Sequence, residues 1–141
     1  MTPFPTFSEE TFFKDIKEWI ESGGDAKAIS SQSNWSLLHL AAEFQDIAAI
    51  EYLINLGCDP NLPDVYGQTP LHIAISIDID AAIQNDQPLE YKATKKFIEL
   101  GADITVKENQ GKTPIDWVDC YGEVARKMFD DLFKTKLKGV L

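Results

Sequence analysis

Apolar side chains in this chain recur every three or four residues, which is the period of an amphipathic helix. The first such run ends at Gly23-Gly24, a helix C-terminal signal, and Ser8 is predicted to cap its start. Its apolar face comprises Phe12, Phe13, Ile16, Trp19 and Ile20. Further runs predict helices at residues 37–44, 47–56, 70–77, 89–100 and 123–138. The pattern therefore predicts an all-α protein.

One of the polar turns between these helices is repeated. In the segment DVYGQTPLH (64–72), Gly67 suits a turn with positive φ, Thr69 can cap the next helix, and Pro70 fits its first position. A related segment starts at Asn34, 33 residues before Gly67, and another at Gly111, 44 residues after it. The sequence LGCDPN at 56–61 also recurs 44 residues later, as LGADIT at 100–105. Two landmarks with one spacing indicate an internal repeat.

The 33-residue period, the GQTPLH-like helix start and the LGAD-like helix end resemble ankyrin repeats. The resemblance extends from about residue 12 to residue 133. It implies an all-α solenoid of stacked helix–turn–helix units, with about four repeats including two degenerate caps, whose turns project as finger-like loops. It also implies a protein-binding role, because most such domains perform no chemistry.

The repeats divide a single domain, 1–141, into four predicted parts. Residues 1–30 form an N-terminal capping repeat, 31–63 and 64–107 two repeats, and 108–141 a C-terminal capping repeat. Because a 44-residue step exceeds 33 by 11, the second repeat has an 11-residue insertion near 78–88. Insertions in repeat proteins usually form loops, which often carry function. The alternative is a longer first helix followed by a polar loop.

Charge is distributed unevenly along the chain. The formal net charge is −10, and residues 1–90 hold 15 acidic and 3 basic side chains, whereas residues 91–141 hold 8 acidic and 10 basic ones. An acidic surface disfavours nucleic acid and anionic membranes as partners and favours a basic protein. Solubility alone is an equally adequate explanation of the acidity.

Three features of the sequence predict a cytoplasmic protein. The N-terminal MTPFPTFSEE lacks the basic residues and apolar run of a secretory signal. No apolar stretch approaches the length of a membrane-spanning helix. The two cysteines are too few for a disulfide framework; Cys58 is predicted to be buried and Cys120 to be exposed.

No residue pattern predicts catalysis, a cofactor or a metal site. His39 and His72 occupy the same position in successive repeats, which favours a structural role in which each ring bonds to a neighbouring turn. The chain has no phosphate-binding glycine loop, no nucleophile elbow and no metal-ligand spacing. The acidic residues of the insertion also lack the spacing of a calcium loop.

The resemblance implies that partner contacts come from the finger turns and the first helix of each repeat. Apolar residues at these positions exceed what the fold requires, which is typical of a binding hot spot. For any one of them, packing on a neighbouring finger is the alternative. With the acidic insertion included, the predicted partner-binding residues are Trp35, Glu43, Phe44, Val65, Tyr66, Gln68, Ser76, Ile77, Asp78, Asp80, Lys112 and Tyr121.

Three functions are compatible with these features. The first is a non-enzymatic module that binds and inhibits a basic protein, as the immunity protein of a bacterial toxin does. The second is an adaptor or assembly subunit without an inhibitory role. A monomer is favoured, but the second function also allows a homodimer that buries the apolar face. The third is an enzyme, for which no constellation of residues is found.

Overall fold

The computed structural model describes Phe4 and residues 6–133. The described residues form α-helices joined by short turns, and their only β-type contact is an isolated bridge between Ile29 and Ser36. The helices are α1 (Phe12–Glu21), α2 (Leu37–Glu43), α3 (Ile47–Asn55), α4 (Pro70–Gln84), α5 (Lys92–Glu99), α6 (Pro114–Asp119) and α7 (Glu123–Phe133). The all-α class is confirmed.

The helices stack in two rows, as a solenoid requires. Helices α2, α4 and α6 pack side by side in one row, and α1, α3 and α5 pack in the other, with α7 against α6. Small residues such as Ala41, Ala42 and Ala74 are fully buried and let the rows approach closely. The larger core side chains between the rows include Phe12, Ile16, Leu37, Leu38, Ile50, Leu53, Leu71, Ile75, Phe97 and Phe129.

The repeated turn motif starts every helix of the first row. The Thr69 hydroxyl accepts a hydrogen bond from the His72 backbone N–H, and the Thr69 N–H donates to the His72 ring. The same reciprocal pair is formed by Ser36 with His39 and by Thr113 with Asp116. Because these bonds satisfy N–H groups that a helix start otherwise leaves free, the motif itself determines where the row's helices begin.

Several predicted helix boundaries differ from the observed ones. Helix α1 follows Thr11, so the prediction that Ser8 caps it is wrong. Helices α2 and α3 each end one residue earlier than predicted, and α5 starts at Lys92 instead of residue 89. The predicted end of the last helix lies outside the described residues, as do its cations Lys134, Lys136 and Lys138.

The insertion lengthens α4. Residues 78–84 continue the helix to Gln84, so the prediction of a loop beginning at residue 78 is wrong, and the alternative of a longer first helix is confirmed. The helix continues because Ile79 is buried in the core, one turn after the buried Ile75. The Asn85 side chain then bonds to the Ala81 carbonyl at the helix end. None of the described helices is both long and apolar enough to span a membrane.

Candidate functional site

Three finger turns project beside the first row of helices: finger 1 (residues 31–35), finger 2 (64–68) and finger 3 (108–112). A buried carboxylate shapes each of the last two. Asp64 accepts the backbone N–H bonds of Tyr66 and Gln68, at 2.8 and 2.9 Å. Glu108 accepts the equivalent bonds from residues 110 and 112. Sequence reasoning missed both acids, although each lies three residues before the repeated glycine.

Hydrogen bonds join each finger to the next. The Val65 N–H donates to the Ser33 carbonyl and the Asn109 N–H donates to the Tyr66 carbonyl, both at 2.9 Å. The buried histidines add a second link. His39 Nε2 donates to the Gln68 carbonyl at 2.9 Å, and His72 Nε2 donates to the residue-112 carbonyl at 3.1 Å. The predicted structural role of the two histidines is confirmed.

Both histidines are held in their neutral form. The backbone N–H of Ser36 donates to His39 Nδ1 at 3.1 Å, and Thr69 does the same for His72, so that nitrogen carries no proton. Burial lowers the pKa of His39 and of His72. This effect is larger than that of the hydrogen bonds to backbone carbonyls, which raise the pKa. Neither ring is therefore available as a charged or metal-binding group near neutral pH.

The fingers and the open sides of α2, α4 and α6 form one surface, here called the finger face. The predicted partner-binding residues lie on or beneath the elements of this face in three states of burial. Those exposed are Glu43, Val65, Tyr66, Lys112 and Tyr121, those half-buried are Trp35, Phe44, Gln68, Ser76, Ile77 and Asp80, and the buried one is Asp78. Tyr66 is the most open of the aromatic residues named here, with 63% of its surface exposed.

A small polar network joins three of the predicted residues, two on α4 and one in the turn between α6 and α7. The Tyr121 hydroxyl donates to Asp80 Oδ1 at 3.0 Å, and it lies 3.3 Å from Ser76 Oγ. Burial and the Asp80 carboxylate raise the pKa of Tyr121, so its hydroxyl stays protonated and keeps donating. The Tyr121 ring is thereby fixed over the α4 side of the finger face, half open to solvent.

Trp35 and Phe44 pack mainly within the fold. Trp35 Nε1 donates to Asp64 Oδ2 at 3.0 Å, and its ring stacks on His39 with 5.6 Å between centroids. Phe44 packs edge-on against Phe12 at 5.1 Å. These contacts favour the alternative in which Trp35 and Phe44 pack on neighbouring parts of the fold. Substituting either side chain would therefore weaken the fold itself.

Asp78 is not displayed on an acidic loop, and that expectation is wrong. Only 4% of its surface is exposed. Its Oδ2 atom accepts from the Thr94 backbone N–H at 2.9 Å and from the Thr94 hydroxyl at 2.8 Å, and its Oδ1 accepts from Gln45 Nε2 at 2.8 Å. Tyr91, the residue before α5, provides no cap of its own, so Asp78 caps that helix from α4. Burial raises the pKa of Asp78 against these bonds.

A cavity of about 440 Å³ opens between fingers 2 and 3 on the finger face. Its walls include Tyr66, Gln68, Lys112 and Trp117. Trp117 packs edge-on against His72 at 5.1 Å, which holds the indole beside the opening. Sequence reasoning did not assign a site role to Trp117, and the available signal was an indole where the other two repeats have Leu40 and Ile73.

The middle of the chain has no cation of its own. Residues 28–91 contain nine aspartates and glutamates but no lysine or arginine. On the finger face this stretch contributes Glu43 and Asp80, and burial together with the nearby Glu9 carboxylate raises the pKa of Glu43. The part of the finger face that this stretch supplies is therefore negative, while finger 3 adds the cation Lys112 beside Tyr66.

Comparisons with known proteins agree with the repeat architecture. The profile of the family described as ankyrin repeats (3 copies) matches residues 9–108. A putative ankyrin repeat protein of Rickettsia felis is 34% identical over 84 residues, which are 60% of this chain and 34% of that protein. The neurogenic locus Notch protein of Drosophila melanogaster is 31% identical over 77 residues, 55% of this chain and 3% of Notch. The chain thus spans about a third or less of these relatives.

Proposed function

Because the chain belongs to the ankyrin-repeat family, whose repeats form protein–protein interaction modules, we propose that it is a non-enzymatic module that binds a basic protein through the finger face. The observation that carries this proposal is the exposure of Tyr66, in the cation-free, acidic middle of the chain, and of Tyr121, which bonds to Asp80 of that stretch. Aromatic anchors inside a polar rim are the usual composition of a binding hot spot.

The side chains at the tip of finger 2 are open to solvent. Val65 and Tyr66 point away from the core, while their backbone atoms make the bonds that join the fingers. A partner contact would therefore use the side chains without disturbing the scaffold. Lysine and arginine side chains on the partner would meet Glu43 and Asp80 around the aromatic centre, which would speed encounter and exclude acidic competitors.

Inhibition of the bound protein is the form of this function that we propose, in the manner of an immunity protein or antitoxin. A physical argument supports inhibition, because an acidic face that covers a basic surface also prevents anionic substrates such as nucleic acid from reaching that surface. We propose further that the chain acts in the cytoplasm as a monomer. A dimer in light scattering whose formation buries Tyr66 would favour an assembly subunit instead.

A capture experiment with matched charge variants tests the proposal. Wild-type protein is immobilised and exposed to an extract of the source organism, beside a Glu43→Lys/Asp80→Lys variant and a Glu21→Lys/Glu123→Lys control with the same net charge. We expect a basic protein to bind wild type and control, to release as salt rises, and to lose at least about tenfold in affinity with the finger-face variant. Equal losses in both variants, or acidic captured proteins, would contradict the proposal.

A further inference from the structure

The insertion creates a cleft at the C-terminal end of α4. It has a volume of about 260 Å³ and lies between the end of α4, the turn that carries Gln45, and the loop of residues 85–91. Ala81, Ala82 and Pro88 line it with apolar atoms, and Asp78 and Glu90 line it with carboxylates. No equivalent can form at α2 or α6, because these helices end after seven and six residues.

Asp78 lines this cleft as a buried acid without a basic side chain beside it. Helix α5 compensates its Oδ2 atom through the Thr94 bonds, while Oδ1 accepts from the neutral Gln45 amide. None of the ion pairs among the described residues involves Asp78. The one cation that lines the cleft, Lys92, pairs with Glu90 at 3.3 Å and is largely exposed. Charged groups in such a position are stabilised by a paired, hydrogen-bonding cation.

Gln45 is the replaceable part of this arrangement. Gln45 is exposed to solvent, and its backbone has a φ of 52°, a left-handed conformation that costs energy in residues other than glycine. An incoming donor could therefore take the Oδ1 atom of Asp78 while the Gln45 amide returns to water. The exchange keeps the number of hydrogen bonds and adds a charge–charge attraction.

We propose that this cleft binds the guanidinium group of an arginine side chain presented by the partner protein, with Asp78 and Glu90 as its acceptors. This inference rests on the proposed binding of a basic protein and assigns one anchor of that complex. Arginine fits better than lysine because its planar, weakly hydrated fork can bond several acceptors while its stem lies on the alanine wall.

A pair of small probes tests the cleft without the partner. Amide chemical shifts of the full chain are followed during titration with N-acetyl-arginine amide and with N-acetyl-citrulline amide, which has the same shape but no charge. We expect saturable shifts at Gln45, Ala81 and Asn85 with arginine, with a Kd on the order of 1 to 10 mM, and none with citrulline. Shifts of equal size with both probes, or non-saturating shifts spread over all acidic regions, would overturn the proposal.

Three variants make the result specific. Gln45→Gly removes the competing amide and suits the positive φ, so it should tighten arginine binding by roughly three- to tenfold. Ala82→Leu should abolish binding by filling the cleft. Asp86→Asn lies in the same loop but does not line the cleft, so it should leave the Kd unchanged. If Gln45→Gly has no effect, or if Asp86→Asn weakens binding as much as Ala82→Leu, the cleft is not the site.

These outcomes separate the cleft from the proposed function. If the arginine probe does not bind while the captured partner still loses affinity with the finger-face charge variant, the cleft proposal fails and the binding module stands. If the probe binds the cleft but no basic partner is captured, the proposed function fails on its own.

Discussion

The two ends of α4 are held by different kinds of contact. At the N-terminal end, Thr69 and His72 form bonds that recur in the same form at α2 and, with an aspartate in place of the histidine, at α6. At the C-terminal end, Asp78 joins α4 to Gln45 and Thr94 through contacts without a counterpart in the described part of the other first-row helices. The contacts at the N-terminal end are therefore shared by the repeats, and those at the C-terminal end are specific to α4.

The difference shows how the insertion was accommodated. The extra residues did not disturb the stacking of fingers 2 and 3, because the histidine links act at the other end of the helix. Whereas Asp46 caps α3 locally, α5 has no local side-chain cap and is capped by Asp78 of the longer α4 instead. A buried carboxylate at a helix N-terminus also interacts favourably with the helix dipole. The contacts that are specific to this chain thus lie where the repeat pattern does not determine the structure.

The repeat end should be the most sensitive to mutation. His72→Ala removes the link to finger 3 and leaves a cavity and unpaired groups beside Thr69, so we expect the free energy of unfolding to fall by about 3 kcal/mol. Urea denaturation measures this. Ser76→Ala, one turn along the same helix and only half-buried, should cost less than about 0.5 kcal/mol. Equal effects of the two substitutions would show that the histidine link is not important.

The insertion end should come second. Asp78→Ala leaves the Thr94 N–H without its acceptor and removes the cap of α5, so we expect a loss of about 2 kcal/mol. Asp80→Ala is the matched control two residues away on the same helix, because its bond to Tyr121 lies at the surface. It should change the free energy of unfolding by less than about 0.5 kcal/mol. A neutral Asp78→Ala would mean that α5 needs no cap.

Two glycines separate the backbone requirement of a finger from the contact between fingers. Gly67 and Gly111 have φ of 79° and 81°, so alanine is strained at both positions. A Cβ at Gly67 would also lie 2.8 Å from the Asn109 backbone N, whereas a Cβ at Gly111 meets nothing within 4 Å. Gly67→Ala should therefore cost about 1 kcal/mol more than Gly111→Ala. Equal melting temperatures would contradict the tight contact between fingers 2 and 3.

The smallest expected effect is a pH dependence from the repeat end. The pKa values of His39 and His72 lie below the usual 6.5, so the unfolded chain takes up protons before the folded one does. Their stabilising contribution is complete above about pH 6.5 and is lost as the pH falls through the folded-state pKa. We expect the free energy of unfolding from urea titration to be lower at about pH 5.5 than at about 7.5, by less than about 1 kcal/mol, with a lower urea midpoint and a weaker dependence in His72→Gln. A rising midpoint would contradict neutral histidines.

The contrast between the two ends also explains what the sequence could predict. The helix starts and the role of the histidines follow from residues at most a few positions apart, which recur, so the repeat end was predicted well. The extension of α4 had a signal, since Ile79 continues the apolar face of Ile75, but the polar residues around it also suited a loop. The burial of Asp78 depends on Gln45 and Thr94, which are 33 and 16 residues away, and no local pattern contains that information.

On the finger face, too, some features follow from the repeat and others do not. The exposure of Val65, Tyr66 and Tyr121 agrees with their predicted positions, because finger tips and first helices are defined by the repeat. The inward packing of Trp35 and the cavity beside Trp117 depend on which neighbours meet in three dimensions. A residue's place in the repeat therefore predicts its side of the fold but not its contacts.

Binding of the partner by the finger face is tested most directly by one comparison of affinities. Calorimetric titration of the captured protein is performed with wild type, Tyr66→Ala and Val124→Ala, two substitutions of exposed apolar side chains, 63% and 74% open, on different faces. We expect Tyr66→Ala to weaken binding by about 2 kcal/mol, roughly 30-fold, with an unchanged melting temperature, and Val124→Ala to bind like wild type. Unchanged affinity in Tyr66→Ala, or the loss appearing in Val124→Ala instead, would contradict binding through the finger face.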